Sequence, residues 1–122
     1  MQCLVQLRLA DSSRVMSPGE GVAFIEELVF PTLEQCTKQL EQKKILAGGP
    51  MSGAVALGLI VTAESAQGLD DLITGLPIWP RMETQVIPLT TFEGRKQSIL
   101  SNLDKLKAQE REPGSPRTGS GR

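Results

Sequence analysis

Between Ala54 and Ala63 the chain reads Ala-Val-Ala-Leu-Gly-Leu-Ile-Val-Thr-Ala, ten residues without a charge. A bilayer-spanning helix needs about twenty apolar residues, so this run cannot cross a membrane. A short continuous run of small and branched apolar side chains instead fits a strand buried on both faces. Gly58 within it points to a close approach by another backbone or side chain. In a chain of 122 residues, one domain is expected. A domain of that size buries a modest share of its surface, so its core is marginal and association with a second copy is expected.

The segments on either side define the elements that this strand pairs with. Gln2 to Leu9 alternates Leu4, Gln6 and Arg8 with Val5, Leu7 and Leu9, the period of a strand with one apolar face. Ala10 to Met16 is a polar loop. Ser17-Pro18-Gly19-Glu20 is a helix start, with Ser17 as cap, Pro18 at the first position and Glu20 completing a capping box. The spacing of Val22, Ile25, Val29, Leu33, Cys36 and Leu40 predicts one helical stripe reaching Lys43. Pro31 lies inside it and should kink or split the helix. Ile45 to Pro50 is a short strand ending in Gly48-Gly49-Pro50, a bulge-prone break. After the apolar strand, Ser65 caps a helix over Ala66 to Thr74 with Leu69, Leu72 and Ile73 inward, and Gly75 ends it. Leu76 to Met82 is a proline-braced loop. Thr84 to Phe92 is a last strand, and Pro88 makes it an edge strand or a bulged one.

Strand, helix, strand, strand, helix, strand is the split βαβ pattern of a ferredoxin-like α+β fold with an antiparallel sheet. The helices would cover one sheet face. The apolar third strand asks for a cover on the other, and a second copy of the sheet supplies one, giving a dimer. The ferredoxin-like domain is therefore drawn over residues 1–92. Residues 93–112 are charged but keep a stripe of Ile99, Leu100, Leu103 and Leu106, which predicts an added C-terminal helix that docks on the domain or on a partner subunit. Residues 113–122 carry no apolar side chain other than proline and read as a disordered tail.

Composition removes several function classes. Thirteen Lys and Arg against fourteen Asp and Glu give a net charge of −1, so neither a nucleic-acid footprint nor a polybasic membrane signal is present. There is no His, which excludes His-ligated zinc, His-ligated haem and a Ser-His-Asp triad. Cys3 and Cys36 read as free core thiols, and no metal or cofactor is expected. The first residues lack the charged and long apolar regions of a signal peptide, so a cytoplasmic location is expected.

Leu69-Asp70-Asp71-Leu72 followed by Leu76-Pro77-Ile78-Trp79-Pro80-Arg81-Met82 resembles the corresponding helix and loop of the muconolactone delta-isomerase family. The likeness runs over about the first ninety residues. It implies a dimeric α/β barrel, often assembled into larger rings. It also implies an isomerase of aromatic catabolism that shifts a proton, and with it a double bond, in a small carboxylated lactone or ring compound. Such chemistry needs a base and an acid beside an activated C–H and donors for the carboxylate and the developing enolate. The family carries histidine and aromatic residues around the second and third strands, where this chain has Lys44 to Gly53. A non-catalytic binding or assembly module on the same fold, or a cofactor-free monooxygenase, are the alternatives.

Six residues are candidates for the site. Glu27 and Glu26, on the first helix, could act as base if buried against the sheet; the plainer reading is a solvated helix face. Arg81 could hold a carboxylate in a bidentate pair or pair at the surface with Glu83. Trp79 could stack on a flat ligand or plug the end of the core. Arg8 is the charge on an otherwise apolar strand and could point into a cleft. Ser52, with the amides near Gly49 and Gly53, could form an anion nest or simply sit in a hairpin turn. Met51 and Met82 read as gap fillers.

Overall fold

A computed structural model describes residues 1–11 and 16–111, the last of these by its backbone only. The expected tail at 113–122 lies outside the described residues. The polypeptide divides into two compact units, Met1–Leu89 and Thr90–Arg122, each described here by itself.

The first unit is a four-stranded antiparallel sheet with helices on one face. Strand β1 (Gln2–Leu9) is followed by helix α1 (Pro18–Phe24), a π turn (Ile25–Val29) and helix α2 (Phe30–Glu41). Strands β2 (Ile45–Pro50) and β3 (Ala56–Thr62), helix α3 (Ala66–Thr74), a 3₁₀ turn (Trp79–Arg81) and strand β4 (Met82–Leu89) complete it. The sheet order is β2-β3-β1-β4, with β1 antiparallel to both neighbours. This is the ferredoxin-like arrangement, with the added helix α4 (Phe92–Arg111) in the second unit.

Local sequence accounts for most of these boundaries. Ser17 Oγ accepts from the Glu20 amide at 3.2 Å, and Glu20 Oε1 accepts from the Ser17 amide at 3.4 Å, so the capping box forms as expected. Ser65 Oγ likewise accepts from Gly68 at the start of α3. Gly75 ends α3 for want of space rather than for a left-handed turn. Its φ is −75°, and a Cβ there would lie 2.8 Å from the Asp71 carbonyl oxygen. Pro88 sits on β4, an edge strand, where its missing donor is tolerated.

The core lies between the sheet and the two helices. Cys3, Val5 and Leu7 of β1 and Leu57, Leu59 and Val61 of β3 are buried with Ile45, Ile73 and Leu76. Leu33 and Cys36 of α2 and Leu69 and Leu72 of α3 pack against them. The opposite sheet face carries Leu4 and Ile60, half-buried and directly paired in register, and Ile87, paired with Leu4 from the other side. On the third strand Leu57, Leu59 and Val61 are buried, and in the alternate set Ala56 is buried while Gly58 and Ile60 are half-buried.

The first helix departs from its expected stripe. Val22 is 56 % exposed and Ile25 44 %, while Phe24 and Thr32 are buried. Pro31 has no N–H to donate back to Glu27. The helix answers with a wider turn, in which the Phe30 amide donates to the Ile25 carbonyl five residues back. That turn rotates the apolar face between α1 and α2, so the two halves do not share one phase. On the edge strand β2, Gly48 has the expected positive φ, +134°, but the register shift lies earlier, between Ile45 and Ala47, and Gly48-Gly49-Pro50 pairs regularly with β3.

In the second unit α4 is capped by Thr91, whose Oγ1 accepts from the Gly94 amide at 2.9 Å. Ile99, Leu100, Leu103 and Leu106 are 40–59 % exposed along it. Among the described residues no helix is long and apolar enough to cross a membrane.

Candidate functional site

A cavity of about 430 Å³ opens between the first helix and one end of the sheet. Three strand ends meet there because two backbone bonds hold them together. Leu9 N–H donates to Val55 O, and Ala10 N–H donates to Arg81 O, both at 3.0 Å. The helix side is formed by Phe24, Ile25, Val29 and Leu33, and the sheet side by Leu9, Ala56 and Leu57. Pro50, Val55, Ile78 and Met82 form its ends. The π turn matters to this geometry, since Ile25 at its start and Val29 at its end both line the cavity.

The lining is apolar with one hydroxyl. Thr32 is 1 % exposed, and its Oγ1 accepts from the Ile78 amide at 3.0 Å. This bond ties α2 to the Leu76–Met82 loop across 46 positions of sequence. Thr32 escapes sequence reasoning because it breaks the apolar stripe. Its one signal is a small polar residue next to Leu33 at a helical spacing from Phe24.

None of the six sequence candidates is among the residues lining this cavity. Glu26 and Glu27 lie on the π turn between Ile25 and Val29, and both are exposed. Arg81 is exposed but stands over the cavity-lining Phe24 ring, with its guanidinium carbon 5.9 Å from the centroid. That distance is within cation–π range. Trp79 is 38 % exposed, two residues away on the same 3₁₀ turn. Arg8 is exposed on the outer sheet face, in register with Glu83. Ser52 is exposed in the β2–β3 hairpin turn, which Met51 N–H closes by donating to Ala56 O at 2.9 Å. The structure therefore sets Arg81 against a wall residue of the cavity, leaves Glu26 and Glu27 exposed on the π turn and leaves Arg8 on the opposite sheet face.

The same fold is found in a solved muconolactone isomerase. Its crystal structure superposes with a TM-score of 0.58 over 75 % of this chain and 90 % of that one, at 19 % identity. At that identity the likeness shows the fold alone. No protein-family model matches the sequence, and no curated protein matches it.

Two further hollows differ in chemistry. One, about 610 Å³, is polar and lies beside the start of α3, with Gln39, Lys44, Glu64 and Asp71 in its wall. The other, about 160 Å³, lies between α2 and β2 and includes Cys36, a free thiol whose pKa is pushed up by burial. Among the described residues no three His, Cys, Asp or Glu side chains converge on a metal position.

Proposed function

We propose that this protein binds a small ring compound in the helix–sheet cavity, as a muconolactone isomerase-like protein that works as a homodimer. The observation that carries the reading is the cavity itself. At about 430 Å³ it falls within the range of small-molecule sites, roughly 300–1,000 Å³. Arg81 is the carboxylate partner in this reading, because its guanidinium lies against Phe24 in the cavity wall. The homodimer rests on one apolar row of the outer sheet face, beside rows that carry Gln6, Gln85, Arg8 and Glu83. Leu4, Ile60 and Ile87 form a contiguous register row there, and a second sheet would remove it from water.

A thermal-shift series with small carboxylated lactones, muconolactone among them, tests this. A ligand at a hundred times its dissociation constant stabilises by about 2.7 kcal/mol. The expected result is a shift for at least one compound that is lost in Arg81→Ala. No shift for any of them removes the support for a carboxylated ligand.

The placement of the two glutamates favours a second step, proton transfer on the bound lactone. Glu26 and Glu27 stand between two cavity-lining residues of the π turn, and π turns recur at functional sites. A carboxylate there could take a proton from a C–H next to a carbonyl and return it one position on, moving the double bond without a cofactor. Incubation with substrate in deuterated water reads this directly. Label incorporation that falls in Glu27→Gln or Glu26→Gln supports it; a wild-type protein that exchanges no proton is a binding module.

A further inference from the structure

The cavity wall carries information about its ligand beyond that reading, on which the following inference rests. We infer that the inner part of the site selects the uncharged, hydrocarbon-like body of its ligand, and that any ionised group of the ligand stays outside the cavity, on the Arg81 side. No ionisable side chain lines the cavity among the described residues. The one side-chain hydroxyl there, on Thr32, accepts from the Ile78 amide, so its O–H is the single side-chain donor that the wall offers a ligand. A carboxylate or strongly polar substituent placed inside would exchange its full hydration for at most that one hydrogen bond, a net loss. An aliphatic or aromatic ring instead exchanges water for Phe24, Ile25, Val29 and Leu57, and removing apolar surface from water is favourable. The Arg81 guanidinium packs over the Phe24 ring of this wall, 5.9 Å from its centroid. The preferred ligand is therefore amphipathic, with an apolar ring or short chain inside and at most one anionic end at Arg81. A compact lactone with polar groups around its whole ring is disfavoured.

The neutral fluorophore N-phenyl-1-naphthylamine tests the inner site, with cyclohexanecarboxylate and adipate as competitors. Cyclohexanecarboxylate has one apolar and one charged end, whereas adipate is charged at both. The fluorophore is expected to brighten on binding and to be displaced by cyclohexanecarboxylate at concentrations at least tenfold below those needed for adipate, a difference of about 1.4 kcal/mol. Ile25→Asp and Val55→Asp place a carboxylate at the wall and should weaken the fluorophore at least tenfold. Both positions are nearly half exposed, at 44 % and 46 %, so the variants can fold, which circular dichroism checks. Two other exposed apolar patches serve as controls, through Ile87→Asp on the outer sheet face and Leu106→Asp on α4. Brightening that survives Ile25→Asp but vanishes in either control overturns the inference. So does tighter binding of adipate or muconolactone than of cyclohexanecarboxylate, while leaving the ligand-binding reading intact. If neither the fluorophore nor any carboxylate binds, the inference and the binding reading fall together.

Discussion

The Oγ1 of Thr32 accepts a hydrogen bond from the Ile78 amide at 3.0 Å, and the two residues are 1 % and 4 % exposed. This contact fixes the distance between the long helix and the loop that ends in Arg81, and both residues also line the cavity.

Replacing Thr32 by Val keeps the shape and removes the acceptor. The Ile78 N–H is then buried without a partner, and unfolding free energy should fall by about 1–3 kcal/mol. Thr32→Ser keeps the hydroxyl and loses one methyl, at about 0.8 kcal/mol. Chemical denaturation of the two variants compares them; a Val variant as stable as wild type would mean that the amide finds another partner.

Gly48 and Gly49 are adjacent yet make opposite predictions. At Gly48 the positive φ and a Cβ that would run into the Gly58 carbonyl make Gly48→Ala destabilising, by about 1–3 kcal/mol from the backbone conformation alone. At Gly49 a Cβ meets nothing within 4 Å, so Gly49→Ala should be neutral or gain about 0.4–1 kcal/mol by restricting the unfolded chain. Melting temperatures of the two variants that move together would contradict the Gly48 geometry.

Burial holds the Cys36 thiol above its ordinary pKa because the thiolate is poorly solvated beside α2 and β2. The folded state thus prefers the protonated form. Its contribution to stability is fully present below the unfolded thiol value of about 8.5 and is lost as pH rises through the higher folded value. Stability measured from pH 7 to 10.5 should fall more steeply for wild type than for Cys36→Val. Parallel curves would show that the thiol is solvated.

The outer sheet face predicts the solution mass. Light scattering should give twice the 13.2 kDa of one chain, and Ile60→Asp, beside Leu4 in that row, should yield a folded monomer. A wild-type monomer at micromolar concentration would remove the sheet-to-sheet interface.

The elements were legible because their signals are local. Ser17 with Glu20 and Ser65 with Gly68 specify helix starts within four residues, and the alternation in Gln2–Leu9 specifies a strand face. Element order then restricts the topology, since βαββαβ connections lead to few sheet orders. Pro31 announced an interruption, but its form depended on what the helix packs against. The wider turn at Ile25–Val29 moved Val22 outward and turned Phe24 inward, a choice between two apolar residues that periodicity alone does not rank.

The site was less legible for a physical reason. Sequence reasoning looks for ionisable side chains, and this cavity is lined by apolar ones from five separated segments. The six candidates were chosen by chemical type, and only the fold decides which lie near one another. Arg8 and Arg81 look equivalent as charges among apolar neighbours, yet strand pairing sends Arg8 to the outer face opposite Glu83, while the 3₁₀ turn sets Arg81 on Phe24. The sequence by itself determined the helices and the strands, because hydrophobic period and capping act over a few residues. The tertiary structure alone decided the cavity, the Thr32–Ile78 bond and the side of the sheet on which each charge stands, because these depend on contacts between segments far apart in sequence, such as Thr32 with Ile78 and Arg8 with Glu83.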